Sequence, residues 1–328
     1  MIERIGQLFI TGFEGEFPPD DFLEFYVSEN IGGIILFEEQ CTPNSRAEEI
    51  IRKINSVSRG RVSFFAVDQE GGRVCRLRGA PAEYLSAREY GEKGDTELFE
   101  EHFTRSAYYL NSLGINLLLA PVADLALNPQ NTCLEGRTFG RSASHVIPFI
   151  EKAVKICNKV GLLSCLKHFP GLGAATNDPH IEMAVADFDL QTFLNREALT
   201  FKAGIDAGTD MVMTTHMILS QIDDNPATIS NVIVEQFLRK RLEFDGIVIT
   251  DDLLMKGIRQ LGGYGEKSMA AFKAGHDLLL FGENYKATME AVKYFKEEYR
   301  RGMVDDKKLQ SSLNRISGIK SKIALPVT

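Results

Sequence analysis

No apolar run in the sequence approaches the roughly 18 to 20 residues that span a bilayer. The longest, GGIILF and INLLLAPVA, have the length of buried strands. No secretory leader is expected, because MIERIGQLFITGFEGEF carries Glu3 and Arg4 ahead of a short apolar run and has no small-residue cleavage site. A cytoplasmic location with no membrane role is the expectation. Positive charge is in deficit: 37 Lys and Arg against 45 Asp and Glu leave a net charge of −8, which repels phosphate backbones and gives no support to a nucleic-acid partner. Cysteines are few and odd in number, and Cys41, Cys75, Cys133, Cys157 and Cys165 show neither C-x-x-C nor Cys/His spacing. Reduced structural thiols are expected rather than a disulfide or zinc framework.

What is present is an ordinary globular composition, 44% hydrophobic and 25% charged over 328 residues, enough to bury a sizeable core. Short β-branched or Leu-rich runs recur at Leu8 to Gly12, Gly33 to Phe37, Ser63 to Val67, Asn116 to Pro121, Leu162 to Lys167, Met211 to Thr215, Gly246 to Thr250 and Asp277 to Phe281. Segments of helical periodicity lie between them, among them Arg46 to Ser58, Thr96 to Leu113, Ser144 to Val160, Asp189 to Ala207, Val232 to Leu242, Tyr264 to Ala274 and Ala287 to Arg301. Eight strand-to-helix units with no Pro/Gly/Ser-rich linker predict a single (β/α)8 TIM-like barrel over residues 1–328. The rival, an open doubly wound sheet, lacks a G-x-G-x-x-G fingerprint after its first strand.

In such a barrel the C-terminal strand ends converge on one mouth, so the polar residues just after each apolar run are the candidates for chemistry. These are Asp68, Gln69 and Glu70, then Asp124, Lys167, His168, His216, Asp251 and Asp252. Helix capping explains any one of them but explains the collection poorly. In KHFPGLGAATNDPH, Asp178 stands two residues before His180 and can hold its tautomer and favour the protonated ring, although a local turn with an exposed histidine has the same spacing. In GIVITDDLLMKGI, strand alternation lets only one of the paired carboxylates point at the axis. Asp251 is the expected axial group and Asp252 the expected cap of the helix starting LLMKGI. Gly71 and Gly72 predict a tight turn, with Glu70 and Arg73 structural, and His216 reads as scaffold.

The runs KHFPG…D-x-H, FAVDQEGGRVCRLRG, APVADLALNPQNTCLEGRTFG, MTTHMILSQIDDNPATIS and ITDDLLMKG, together with AGHDLLLFGEN, resemble family 3 glycoside hydrolases, and more narrowly the single-domain β-N-acetylhexosaminidases of that family. The resemblance implies a retaining enzyme acting on terminal β-linked N-acetylglucosamine, with peptidoglycan fragments as one source. It implies Asp251 as nucleophile, His180 as general acid/base and Asp178 as its partner. It implies a sugar subsite of Asp68, Arg76, Arg137, Lys167 and His168. The partner is then a small carbohydrate, the chain a monomer, and no metal or organic cofactor is called for. Relatives often carry H-G-D-T where this chain has Leu172, Gly173, Ala174 and Ala175, and often Ser where it has Pro179. Three other readings stay open at this level: phosphate resolving the glycosyl intermediate in a phosphorylase, a sugar-binding barrel without turnover, and a Schiff-base aldolase using Lys167.

Overall fold

A computed structural model describes residues 1–175 and 183–323; Asp178, Pro179 and His180 lie outside the described residues. Eight strands run parallel in one sheet: β1 (Phe9–Thr11), β2 (Gly33–Leu36), β3 (Phe64–Val67), β4 (Leu117–Leu118), β5 (Leu163–Phe169), β6 (Met211–Thr214), β7 (Ile247–Thr250) and β8 (Leu279–Phe281). Their spatial order is their chain order, with β8 beside β1 through the register Phe9↔Leu279, Ile10↔Leu280 and Thr11↔Phe281. The ring closes between β7 and β8 by the bridge Ile249↔Leu278 and the bonds Leu278 N to Val248 O (3.1 Å) and Thr250 N to Leu278 O (3.1 Å). The Thr250 hydroxyl continues the seam by accepting from Leu280 N at 3.0 Å. This is the expected (β/α)8 barrel, and every predicted strand is present within two or three residues of its predicted ends.

Buried apolar runs drive that result. All four residues of β2, β3, β6 and β7 are buried, as parallel strands covered on both faces must be. The outer layer includes α1 (Asp20–Ser28), α2 (Asn44–Val57), α3 (Ala87–Lys93), α4 (Thr96–Ser112), α5 (Ala143–Val160), α6 (Leu190–Asn195), α7 (Glu197–Asp206), α8 (Tyr264–Ala274), α9 (Tyr285–Arg300) and α10 (Asp306–Lys320). The helix expected over Asp189 to Ala207 is broken at Arg196 (φ −133°, ψ −81°), whose guanidinium folds back onto the Glu197 carboxylate and over the Phe188 ring. That break turns Glu197 into the core, where it is buried. The segment Val232–Arg241 is wound as a π-helix, with Leu242 N bonded to Phe237 O.

Two small ribbons sit above the strand ends. One is the antiparallel hairpin Gln69–Gly71 with Val74–Cys75, and the other pairs Ala184–Ala186 with Met217–Leu219. Among the described residues no helix is long and apolar enough to cross a membrane. All five cysteines are buried.

Candidate active site

The site grows from the ends of β3, β4 and β5. After β3 the chain stays extended through Gln69–Gly71, so side chains alternate: Asp68 and Glu70 face one way and Gln69 the other. Gln69 is buried beneath the hairpin, donating to Leu77 O and Ala82 O and accepting from the backbone N–H groups of Arg76 and Leu77. The turn is made by Gly71 (φ +86°) and Gly72 (φ +55°), as their adjacency predicted. A Cβ on Gly71 would lie 2.3 Å from Leu85 O, so only glycine fits there.

Lys167 and His168 come from β5. Strict alternation would bring one of two neighbours into the barrel mouth, but the pairing of β5 with β6 shifts register between Leu166 and Phe169, and both side chains reach it. Lys167 Nζ lies 2.7 Å from Asp68 Oδ1 and 2.6 Å from Glu70 Oε1. Because β4 separates β3 from β5 in the ring, this contact spans the mouth rather than neighbouring strands. Arg137, delivered by the loop after β4, grips Glu70 through Nε (2.7 Å) and Nη2 (2.8 Å), a bidentate pair. Arg76 Nη2 stands 3.4 Å from the second oxygen of Asp68, and its guanidinium lies over the Phe37 ring.

Burial alone would push the Asp68 and Glu70 carboxyls up. Lys167 and Arg76 beside Asp68, and Arg137 and Lys167 beside Glu70, outweigh it and hold both below the usual carboxylate range. Burial likewise disfavours the Lys167 ammonium, and Asp68 and Glu70 reverse the effect and raise it. An ammonium shared by two carboxylates gives the Schiff-base reading no support.

His168 is held by hydrogen-bond logic. Arg137 can only donate, so at 3.2 Å from Nη2 the His168 Nε2 is an acceptor. The ring proton therefore sits on Nδ1, 2.7 Å from Asp124 Oδ2. The same carboxylate takes the His168 backbone N–H, and its other oxygen takes Leu172 N at 2.6 Å. Asp124 thus fixes both the imidazole and the root of the following loop. That root is further pinned by Asn131 Nδ2 to Leu172 O and Asn128 Nδ2 to Ala175 O. Leu172 and Ala175 are buried in the core. The chain re-enters the described structure at the ribbon of Ala184–Ala186.

Asp251 is the first residue beyond β7, its N–H bonded to Thr214 O (3.0 Å) and its Oδ1 accepting from Asp252 N (2.8 Å). It is partly exposed. Asp252 departs from expectation. The helical turn after it is a 3-10 segment, Lys256–Leu261, that begins beyond its reach, so Asp252 caps no helix. Its Oδ1 instead takes Leu254 N (2.9 Å) in a local Asx-type turn and Gly282 N (3.0 Å) beyond β8. His216 is buried scaffold, as read from sequence: Nε2 meets Asp252 O at 2.8 Å and Nδ1 meets Thr228 Oγ1 at 2.5 Å.

The described structure therefore brings Asp68, Arg76, Arg137, Lys167 and His168 into one connected cluster, with Asp251 at the end of another strand of the same mouth. Glu70, read from sequence as structural, is the hub joining Arg137 to Lys167. The signal was its spacing of two from Asp68, which in extended chain puts both on one face. Arg73 keeps the structural role expected of it, binding the carbonyls of Thr132, Cys133 and Glu135 and so anchoring the loop that carries Arg137. Among the described residues no group of three His, Cys, Asp or Glu side chains is arranged to hold a metal ion.

Comparison with known proteins points the same way. Residues 2–319 match the family model for the glycosyl hydrolase family 3 N terminal domain. A β-hexosaminidase of Glaesserella parasuis is 32% identical over 254 residues, 76% of this chain and 73% of its own length. One from Vibrio cholerae is 32% identical over 268 residues, 80% of this chain and 78% of its own. Among solved structures, a family 3 β-N-acetylglucosaminidase of Paenibacillus sp. superposes with a TM-score of 0.95 at 28% identity, covering 100% of this chain, which spans 64% of that longer protein. A β-N-acetylhexosaminidase of Beutenbergia cavernae gives 0.88 at 27% identity, covering 97% and 98% of the two chains.

Proposed function

The chain belongs to glycosyl hydrolase family 3, and from that premise we propose that it is a retaining β-N-acetylhexosaminidase releasing terminal β-linked N-acetylglucosamine from small saccharides such as cytoplasmic peptidoglycan fragments. The single observation that carries the reading is the cluster of Asp68, Glu70, Arg137, Lys167 and His168 facing the barrel mouth at which β7 also delivers Asp251.

Glycoside cleavage needs the leaving oxygen protonated as the anomeric carbon gains positive charge, and retention needs a carboxylate beneath that carbon to form a covalent glycosyl-enzyme. In this reading Asp251 attacks C1. His180, kept cationic by Asp178, protonates the leaving oxygen and then takes a proton from the water that releases the sugar. Lys167, Arg137 and Arg76 donate to sugar oxygens, Asp68 accepts from a hydroxyl, and His168 lines the same subsite in its Nδ1-protonated form. Glu70 touches both Arg137 and Lys167, so its role is to position those two donors.

The test is release of chromophore from a chromogenic β-N-acetylglucosaminide. Wild type should turn over, and Asp251→Asn should lose at least about 10⁴-fold of kcat because no covalent intermediate can form. Equal rates in the two proteins would refute the assignment. Product analysis in phosphate buffer belongs to the same experiment: free N-acetylglucosamine is expected, and a sugar 1-phosphate would replace hydrolysis by phosphorolysis. Saturable sugar binding without release would leave a binding protein.

A further inference from the structure

The face of the barrel opposite the mouth holds an open cavity of about 420 Å³. Its wall includes Arg4, Gln7, Asn30, Arg61, Ser317 and Lys320. Arg4 and Gln7 precede β1, Asn30 precedes β2, Arg61 precedes β3, and Ser317 and Lys320 belong to the last turn of α10. The cavity is therefore at the N-terminal strand ends and takes no part in the chemistry proposed above.

Its charge is anomalous. In a chain of net charge −8, three cations line this wall and no carboxylate side chain does so among the described residues. Lys320 is 7% exposed, yet its ammonium meets only neutral partners: Gln7 Oε1 at 2.8 Å, Gly32 O at 2.7 Å and the Phe64 ring at 4.8 Å. Burial, with Arg61 adding to it, pushes that ammonium down to about 7. Arg61 is oriented by Ser58 O (3.0 Å), Asn30 Oδ1 (2.5 Å) and Val27 O (3.5 Å), which leaves two of its five guanidinium hydrogens for a ligand. Arg4 has no side-chain hydrogen bond or ion pair among the described residues. A buried lysine with Arg61 acting on it, Arg4 on the same cavity wall and no counter-charge is an arrangement that an anion would complete.

The geometry points to a binding site for a phosphate monoester of a small hydroxylated molecule, its phosphate held by Arg4, Arg61 and Lys320. Two guanidinium forks and an ammonium match a doubly charged phosphate better than a single carboxylate. The Ser317 hydroxyl and the Asn30 Nδ2 hydrogen not held by Glu3 O suit the hydroxyls of the organic part, while the Gln7 amide orients Asn30 and Lys320. The volume lies within the range of about 300 to 1,000 Å³ typical of small-molecule sites. Such a ligand would tie the N-terminal segment, the loops before β2 and β3, and α10 to one another, and so act on stability from outside the active site.

Thermal unfolding of the whole chain tests this, with glycerol 3-phosphate, inorganic phosphate and sodium chloride compared at equal ionic strength for wild type, Arg4→Glu and Arg61→Gln. Both phosphates should raise the wild-type Tm by several degrees, glycerol 3-phosphate at the lower concentration, while chloride does not. Apparent affinity should fall about tenfold or more in either variant. Arg4 is at the surface, so Arg4→Glu decides the matter even if Arg61→Gln does not fold, and its glycosidase activity without added phosphate should equal wild type. An equal shift with chloride, or a phosphate shift unchanged by Arg4→Glu, would overturn the proposal. Inorganic phosphate binding as tightly as glycerol 3-phosphate would overturn the monoester assignment.

Discussion

Lys167 shows how much one side chain can carry. It is 2% exposed and is shared by two carboxylates, so its removal leaves Asp68 with the longer Arg76 contact and Glu70 with Arg137 as their cationic partners in the same low-dielectric mouth. Lys167→Met should cost about 1 to 3 kcal/mol of stability, read from urea unfolding, and, under the proposed sugar-binding role, raise KM. His276 makes a second residue-scale case. It is fully buried, with Nε2 on Thr214 Oγ1 (2.8 Å) and Nδ1 on Ala271 O (3.0 Å), and burial pushes its pKa down from 6.5 to about 4. A ring that resists protonation when folded takes its proton more readily when unfolded. Its contribution is thus complete above about pH 6.5 and is lost as pH falls toward 4, a loss of roughly 3 kcal/mol at the acid end. Urea unfolding at a series of pH values should show that slope in wild type and its flattening in His276→Gln.

At the scale of elements, the loop after β5 is where sequence and geometry meet. It leaves the strand under the control of Asp124, packs Leu172 and Ala175 into the core, and passes Gly173 so close to Leu125 O that an added Cβ would lie 1.7 Å from it. Gly173→Ala must therefore move the loop root from which residues 178 and 180 follow. Under the catalytic roles proposed for Asp178 and His180, the expected result is a fall in kcat of about 10²-fold, since small misplacements of catalytic groups cost that much, with a loss of about 1 to 3 kcal/mol in stability. Steady-state kinetics alongside thermal melts would separate the two effects. A variant with wild-type kcat would detach this loop root from the chemistry. The loop was legible in sequence as a Gly-rich strand end, but how its apolar residues dock was not, because Leu and Ala at those positions fit an exposed loop and a buried one equally well until Asp124, Asn128 and Asn131 fix its path.

For the molecule as a whole, closure of the ring is the decisive event, and Asp277 governs it. The side chain is fully buried at the start of β8 and accepts from Val248 N (3.0 Å), Ser312 Oγ (2.7 Å), Arg315 Nη1 (3.0 Å) and Arg239 Nη2 (2.5 Å). One carboxylate thus joins the last two strands, α10 and the π-helical segment. Asp277→Asn cannot satisfy two guanidinium groups and should cost about 3 to 5 kcal/mol. Urea unfolding monitored by near- and far-ultraviolet circular dichroism would measure it. A single transition in both signals, shifted to lower urea, is expected of one closed barrel.

The sequence by itself determined the eight strands, the parallel barrel and the strand ends at which polar residues gather, because burial on both faces leaves an apolar signature that is local in the chain. The paired glycines of the hairpin and the scaffold histidine His216 were legible for the same reason, each being set by its immediate neighbours. What only the tertiary structure decided is who meets whom across the mouth. Glu70 became the hub of two cations, Asp252 tied β7 to β8 instead of capping a helix, Arg196 broke a periodic helix, and three cations collected beneath the barrel. Each of these outcomes depends on charges and donors brought together by ring closure from positions as far apart as residues 70 and 167 or 4 and 320, and spacing along a chain does not encode such distances.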